Sequence, residues 1–179
     1  ARLLQLIEHL PEKGRFMILG FDKHYRPDGK EDLERTKFYI PNEYISSMVK
    51  KNPQIFIPMI SIHPFRKDAI KKLEEWNKKG LRFIKWLPNA MGIDPSDPRL
   101  DIFYSKVKEL NMVILVHVGG EGAVHTGEFE KLGNPLLLRR PLDQGVKIIM
   151  AHCASLGNNL DLDTPSNGKV DNFELFMRM

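Results

Sequence analysis

The sequence predicts an α/β fold of parallel strands that alternate with helices, and three observations support it. Five segments are rich in Val, Ile, Leu, Phe and Met, which is typical of strands buried on both faces of a parallel sheet. Segments with helical spacing separate them, so strand starts recur about every 30–40 residues, the length of a βα unit. Polar residues directly follow several strands. The predicted strands are residues 15–21, 55–62, 82–87, 112–117 and 146–152.

Each predicted helix lies between two of these strands and ends at a recognisable signal. Asn42 is expected to cap the first helix. Pro141 is expected to kink or bound the last one. The four helices are expected to end at Asn52, Gly80, Asn111 and Gly145, residue types that favour a helix C-terminus or a turn.

Two features favour a barrel over a doubly wound open sheet. Polar residues lie at the carboxyl ends of several successive strands, whereas an open sheet binds ligands at one switch point. The Gly120-Glu121-Gly122 segment lacks the third glycine of a dinucleotide fingerprint. A complete barrel has eight strands and about 250 residues. We therefore expect a partial TIM barrel, with residues 1–179 forming a single domain that is the central portion of a longer barrel, incomplete at both ends.

The composition argues against several classes of partner. The 179 residues are 42% hydrophobic, with a net charge of 27 − 23 = +4. Basic residues occur in scattered short pairs, so no nucleic-acid partner is expected. No apolar stretch approaches the roughly 20 residues that span a bilayer, so no membrane partner is expected. The single cysteine, Cys153, fits a reducing, cytoplasmic location. Five strands leave two open sheet edges, so a homo-oligomer is one expected assembly.

Two histidines close apolar strands and are the first candidates for chemistry. His117 shares a strand face with Leu115, and His152 shares one with Met150. If both faces point into the barrel, the imidazoles meet at its mouth, where barrels keep their active sites. Neutral imidazole is a common metal ligand, so the pair predicts a metal site. The alternative is two core histidines satisfied by hydrogen bonds. Cys153 should point toward the helices and serve packing.

Lys85 lies among apolar residues in the third predicted strand, where an unpaired ammonium group would be costly. Three explanations are open. The ammonium pairs with a carboxylate, with its stem packed and its head in water. Carbon dioxide carboxylates the amine, which gives an anion that bridges two metal ions. A lowered pKa makes the amine a Schiff-base nucleophile.

Other polar residues near the strand ends are candidates for contact with a small-molecule substrate. His63 ends the second predicted strand, although the following Pro64 also suits a simple turn. Asp22 and His24 follow the first strand, where solvation in a loop accounts for both. Charged residues beyond the fourth strand either face water or contact an anionic or polar substrate. These are Glu121, His125, Arg139 and Arg140.

Three stretches carry a family resemblance over about residues 15–157. They are Phe83-Ile84-Lys85-Trp86-Leu87-Pro88-Asn89 with Gly92-Ile93-Asp94-Pro95, then Val116-His117-Val118-Gly119-Gly120, then Ala151-His152-Cys153-Ala154-Ser155-Leu156-Gly157. At these residues the chain resembles the amidohydrolase superfamily, in particular its amidohydrolase-related TIM-barrel branch of metal-dependent hydrolases. The last stretch is the most specific.

The resemblance implies that Lys85, His117 and His152 belong to the fourth, fifth and sixth strands of a TIM barrel. It implies that both histidines bind a metal, commonly zinc. Lys85 stands where relatives with paired metals carry a carboxylated lysine. Asn89, in the first matching stretch, is taken as a substrate contact. The family also has a His-x-His pair on its first strand and an aspartate on its eighth, and this sequence contains no such pair.

The leading hypothesis is a metal-dependent hydrolase that uses a metal-activated water on an amide, ester or lactone bond. It would bind one or two divalent ions, with zinc favoured. The first alternative is a decarboxylase of the same barrel family, with Arg139 or Arg140 holding a carboxylate. The others are a Schiff-base aldolase at Lys85 and a catalytically incomplete segment that serves as a binding or assembly module.

Overall fold

A computed structural model describes residues 2–12, 14–124 and 126–179, and five of its strands form one parallel sheet. The strand order in the sheet follows the order in the chain, and β1 and β5 are its edges. Among the described residues the sheet is therefore an open segment of a barrel. The strands are β1 (Phe16–Leu19), β2 (Phe56–Ile60), β3 (Phe83–Trp86), β4 (Val113–Val116) and β5 (Lys147–Met150). The predicted α/β fold, a partial barrel of five parallel strands, is confirmed.

Helices lie between consecutive strands of the parallel sheet, as the sequence predicts, while one further helix precedes the sheet in the chain and another follows it. They are α1 (Arg2–Glu8), α2 (Asn42–Lys51), α3 (Ala69–Lys78), α4 (Pro88–Met91), α5 (Asp101–Glu109), α6 (Arg139–Asp143) and α7 (Asn172–Phe176). Asn42 does not cap α2 as expected. Its side-chain amide exchanges two 2.8 Å hydrogen bonds with the backbone of Ser61, which ties α2 to the end of β2. Within the described ranges, no helix is long and apolar enough to cross a membrane.

A short antiparallel hairpin follows the parallel sheet. It pairs β6 (Asn158–Leu160) with β7 (Lys169–Asp171), and the sequence did not predict it. Its strands have three residues each and contain mostly polar residues, so neither presents the apolar run that marks the five parallel strands.

The main hydrophobic core lies between the sheet and its helices. The register pairs Ile84 with Ile114 and Ile114 with Ile148, so these side chains share one face of the sheet. They pack in a cluster that includes the fully buried Leu73 of α3 and Val107 of α5. We call this helix-covered side the outer face of the sheet.

The opposite, inner face of the sheet carries Lys85, Leu115 and Ile149, which the register places side by side. Ile149 on β5 is 40% exposed, and Met17 on β1 is 42% exposed. The apolar runs predicted burial on both faces, and for the two edge strands this prediction is wrong. The described residues leave the inner face open at its edges, while β3 between them stays buried.

Candidate metal centre

The carboxyl ends of β4 and β5 bring the two candidate histidines into contact. His117 directly follows β4, and His152 lies two residues after β5. The Nε2 atom of His152 is 3.1 Å from the Nδ1 atom of His117, and the ring centroids are 4.7 Å apart. Two adjacent parallel strands therefore place two imidazole nitrogens side by side at the end of the sheet where barrels keep their chemistry.

A left-handed turn carries His152 to this position. Met150 pairs with Val116 on the outer face, so simple alternation would have sent His152 toward the helices. The chain instead leaves the strand, with φ of 41° at His152 and 52° at Cys153. Such conformations are rare outside glycine and cluster at functional sites. The two rings meet as predicted, but strand alternation, the reason predicted for it, does not bring His152 there. Cys153, expected to pack toward the helices, is exposed.

His117 lies in a mostly buried environment with two acceptors on its far side. Its side chain is 14% exposed. Its Nε2 is 3.2 Å from the carbonyl oxygen of Gly120 and 3.5 Å from Oε2 of Glu121. Burial lowers the pKa of His117, and the Glu121 carboxylate opposes that shift. The neutral imidazole, which is the form that binds metals, is therefore favoured at neutral pH.

Lys85 is buried beneath these groups on the inner face. It is 6% exposed, and burial lowers the pKa of its amine to about 8, against the opposing charge of Glu121. No carboxylate lies within ion-pair distance of its Nζ among the described residues. A lowered pKa increases the fraction of Lys85 that is a neutral amine, and the neutral amine is the form required both for carboxylation and for Schiff-base chemistry. Both chemical explanations of Lys85 therefore start from the same neutral amine.

The loop after β4 is held against the site by Asn89. This residue is fully buried, and its Nδ2 donates to the backbone oxygens of Gly119 (3.1 Å) and Glu130 (3.2 Å). A Cβ on Gly133 would lie 2.1 Å from the Gly119 oxygen, so only glycine fits there. Asn89 Oδ1 is buried without a hydrogen-bond partner in the described part of the chain. Because this oxygen is itself buried, Asn89 offers no exposed group to a substrate in this geometry, and its two donated hydrogen bonds hold the loop.

The chain resembles known barrel proteins in sequence and in structure. A family model described as Amidohydrolase matches residues 22–162, most of the chain. The chain belongs to the amidohydrolase family. An uncharacterised TIM-barrel protein from Bordetella bronchiseptica has a similar structure, with a TM-score of 0.59 and 18% identity over 76% of this chain and 45% of that protein. This likeness shows the fold alone, and the chain spans less than half of that protein. No curated protein matches the chain.

The amidohydrolase family implies a bound metal, and the two imidazoles fit part of such a site. Tetrahedral Zn²⁺ with nitrogen ligands at about 2.0–2.1 Å keeps two of those nitrogens about 3.3–3.4 Å apart. The 3.1 Å between His117 Nδ1 and His152 Nε2 is close to that separation. Among the described residues, no group of three or more His, Cys, Asp or Glu side chains could hold a metal ion. This amidohydrolase chain thus offers two donors, and full coordination requires others.

His63 is placed differently from the predicted substrate contact. It is fully buried; its Nε2 lies 2.9 Å from the carbonyl oxygen of Met91, and its Nδ1 accepts from the backbone N–H of Phe65 at 3.2 Å. Burial lowers the pKa of His63 to about 3. With both nitrogens engaged and no exposed surface, the ring has no free group to offer a substrate, and its role in this geometry is structural.

The remaining predicted contacts divide between the site and its periphery. Glu121 lies at the site, close to His117, with a side chain that is 9% exposed. Arg139 pairs with Asp163 near the hairpin, and its guanidinium contacts neither histidine. His125 lies outside the described residues. Glu121 therefore lies beside the histidine pair, whereas Arg139 has a partner away from it.

A buried charged network lies at the end of β1 and was not predicted from the sequence. Asp22 and His24 were expected to be solvated in a loop, yet both are only 6% exposed. Asp22 accepts hydrogen bonds from the backbone N–H of His63 at 2.8 Å and from Arg66 Nη1 at 3.1 Å. Burial raises the pKa of the Asp22 carboxyl, and the Arg66 guanidinium opposes that rise. An aspartate directly after an apolar strand was the available signal.

Lys85→Met is expected to stabilise the fold at pH 7 by about 3 kcal/mol, because the pKa of this amine falls from 10.5 to about 8 on folding. Between pH 8 and pH 10.5 the unfolded chain holds a proton that the folded chain has lost. The free energy of unfolding of the wild type therefore rises with pH across that window. Urea unfolding at several pH values measures both effects. Lys147→Met, at an exposed lysine of β5, is the control and should keep the wild-type slope; equal slopes in all three proteins would refute the effect.

Proposed function

We propose that this chain carries part of the active site of a metal-dependent hydrolase that acts on an amide, ester or lactone bond of a small-molecule substrate. The observation that carries the proposal is the 3.1 Å approach of His117 Nδ1 and His152 Nε2 at the ends of adjacent parallel strands. Membership of the amidohydrolase family supports an enzyme of hydrolase type. The buried Lys85 on the same inner face adds a titratable group to the site.

Three residues of the chain would have separate roles in this reaction. His117 and His152 would hold a divalent ion, with zinc favoured, through the two facing nitrogens. A bound ion of this kind polarises the scissile carbonyl and lowers the pKa of a bound water to near 7. Lys85, if carboxylated, would bridge a second ion; as the free amine, with a pKa of about 8, it would exchange a proton beside the reacting carbonyl.

Decarboxylation through Arg139 or Arg140 receives less support. Each guanidinium already pairs with a carboxylate, Arg139 with Asp163 and Arg140 with Asp101 at 2.7 Å. A substrate carboxylate would have to compete with these partners. A homo-oligomeric assembly and a cytoplasmic location stay predictions.

Metal loading combined with a substrate panel tests the proposal. The chain is stripped with a chelator, reloaded with Zn²⁺ or Mn²⁺ and passed through a desalting column, and the metal bound per chain is counted. Amides, esters and lactones are then offered to both forms. We expect retained metal and hydrolysis only in the loaded form, because hydroxide forms at neutral pH only on the metal.

Cys153→Ser is the control, since this exposed thiol lies next to His152 and thiolates are themselves metal ligands. The variant should retain as much metal as the wild type. Failure to retain either metal, together with no gain in hydrolysis on loading, would contradict the proposed function.

A further inference from the structure

The surroundings of His117 determine which of its nitrogens carries the proton. Its Nε2 faces the carbonyl oxygen of Gly120 at 3.2 Å and the carboxylate of Glu121 at 3.5 Å. A carbonyl and an ionised carboxylate only accept hydrogen bonds. The proton of the neutral ring therefore belongs on Nε2. The lone pair is left on Nδ1, the atom that faces His152.

His152 must then be the donor in the metal-free pair. Its Nε2 lies 3.1 Å from the lone pair on His117 Nδ1, so it carries a proton there. A metal between these two atoms would need a lone pair on each of them. His117 already presents its own lone pair, whereas His152 would have to move its proton from Nε2 to Nδ1. The His152 ring is exposed, so water can carry that proton.

Glu121 is held in place from several sides. Its Oε1 accepts the backbone N–H of Ala123 at 2.6 Å, and its own N–H donates to Oε1 of Glu130 at 2.9 Å. The backbone of Glu130 is in turn bound by Asn89. The carboxylate beside His117 is therefore a fixed group of the loop. A fixed carboxylate on the far nitrogen of a metal-binding histidine orients the ring and raises its basicity.

We propose that Glu121 is a positioning residue that holds His117 with its proton on Nε2, and that His152 is the histidine that changes tautomer when a metal binds. This inference rests on the proposed function for its purpose. Its geometric half, the position of the proton on His117 beside Glu121, concerns the metal-free protein and depends on no metal.

Nitrogen NMR of histidine-labelled, metal-free protein tests that half directly. Two-bond ¹H–¹⁵N correlations separate the two neutral tautomers of each ring. We expect the Nε2–H pattern for both His117 and His152, and on addition of Zn²⁺ a change to Nδ1–H for His152 only. Glu121→Gln should move the His117 shifts toward the other tautomer. A wild-type His117 protonated on Nδ1, or shifts that do not move in the variant, would overturn the proposal.

Zinc affinity, measured by competition with a chromophoric chelator, gives the second readout. Loss of an outer carboxylate costs about 10- to 100-fold in metal affinity, so Glu121→Gln should weaken Zn²⁺ binding by that factor. Glu128→Gln is the matched control, because Glu128 lies on the same loop but pairs with Arg35 at 3.2 Å. Equal affinities of the two variants would overturn the proposal. If the wild type binds no zinc, the proposed function fails, and the tautomers of the metal-free protein still decide the role of Glu121.

Discussion

Replacing His117 by alanine weakens Zn²⁺ binding more than about a hundredfold, if the two imidazoles hold the metal. His117 is the better fixed of the two donors, because its side chain is 14% exposed and its far nitrogen is held by Gly120 and Glu121. His152 is an exposed ring on a left-handed turn, and one exposed imidazole is a weak metal site by itself. Competition titration with a chelator measures the loss, and any hydrolysis should fall with it.

His9→Ala is the control for this experiment, because His9 lies outside the site near the end of α1. Its zinc affinity should equal that of the wild type. If His117→Ala and His9→Ala bind zinc equally well, the metal is held elsewhere, and the histidine pair is only a hydrogen-bonded pair.

Asp22→Ala has the largest expected loss of stability, about 3 kcal/mol in the free energy of unfolding. The Asp22 side chain is 4% exposed and accepts hydrogen bonds from the backbone N–H groups of Lys23 at 2.9 Å and His63 at 2.8 Å. It also pairs with Arg66 at 3.1 Å. The substitution leaves these buried N–H groups without an acceptor. It also removes one of the anions beside the mostly buried guanidinium of Arg66. Urea unfolding at neutral pH gives the difference.

Asp28→Ala, in the same loop, is the matched control. Asp28 is exposed, accepts the backbone N–H of Lys30 at 3.0 Å and lies 3.7 Å from the Lys30 ammonium, and because both contacts face water its removal should change the unfolding midpoint far less. Equal midpoints for both variants would show that the Asp22 network contributes nothing to stability.

The sheet was predictable from the sequence because its signal is local. Each parallel strand is a short apolar run, and each is followed by a helix or turn whose end is marked by residues such as Gly80 and Gly145. Both glycines adopt positive φ, 85° and 80°, as a helix-ending glycine does. The hairpin of β6 and β7 lacks such a signal, because its three residue pairs, most of whose members are polar, depend on contacts that sequence spacing does not encode.

The meeting of the two histidines was predictable only in part. His117 follows from strand alternation, since Leu115 before it lies on the inner face. His152 does not, because alternation from Met150 leads to the outer face. Three consecutive residues with positive φ change its direction, and neither Ala nor Cys favours that conformation. The tertiary packing of the turn decides it.

The buried network around Asp22 was missed for a different reason. Its partners, His63 and Arg66, are 41 and 44 residues away in the chain, so their contact depends on the pairing of β1 with β2. An aspartate that follows a strand is usually exposed to water, and only the three-dimensional structure shows that Asp22 is buried. The Nε2 partner of His63 is the carbonyl oxygen of Met91, 28 residues away, so this contact also depends on the fold.

The X-ray absorption spectrum of the zinc-loaded chain at the zinc K-edge tests most directly whether the two imidazoles share a metal. The expected spectrum contains two nitrogen ligands at about 2.0–2.1 Å with the multiple scattering of imidazole rings. That signature should vanish in the double variant His117→Ala, His152→Ala. Zinc bound without imidazole scattering, or an identical spectrum in the double variant, would contradict a metal centre at these residues.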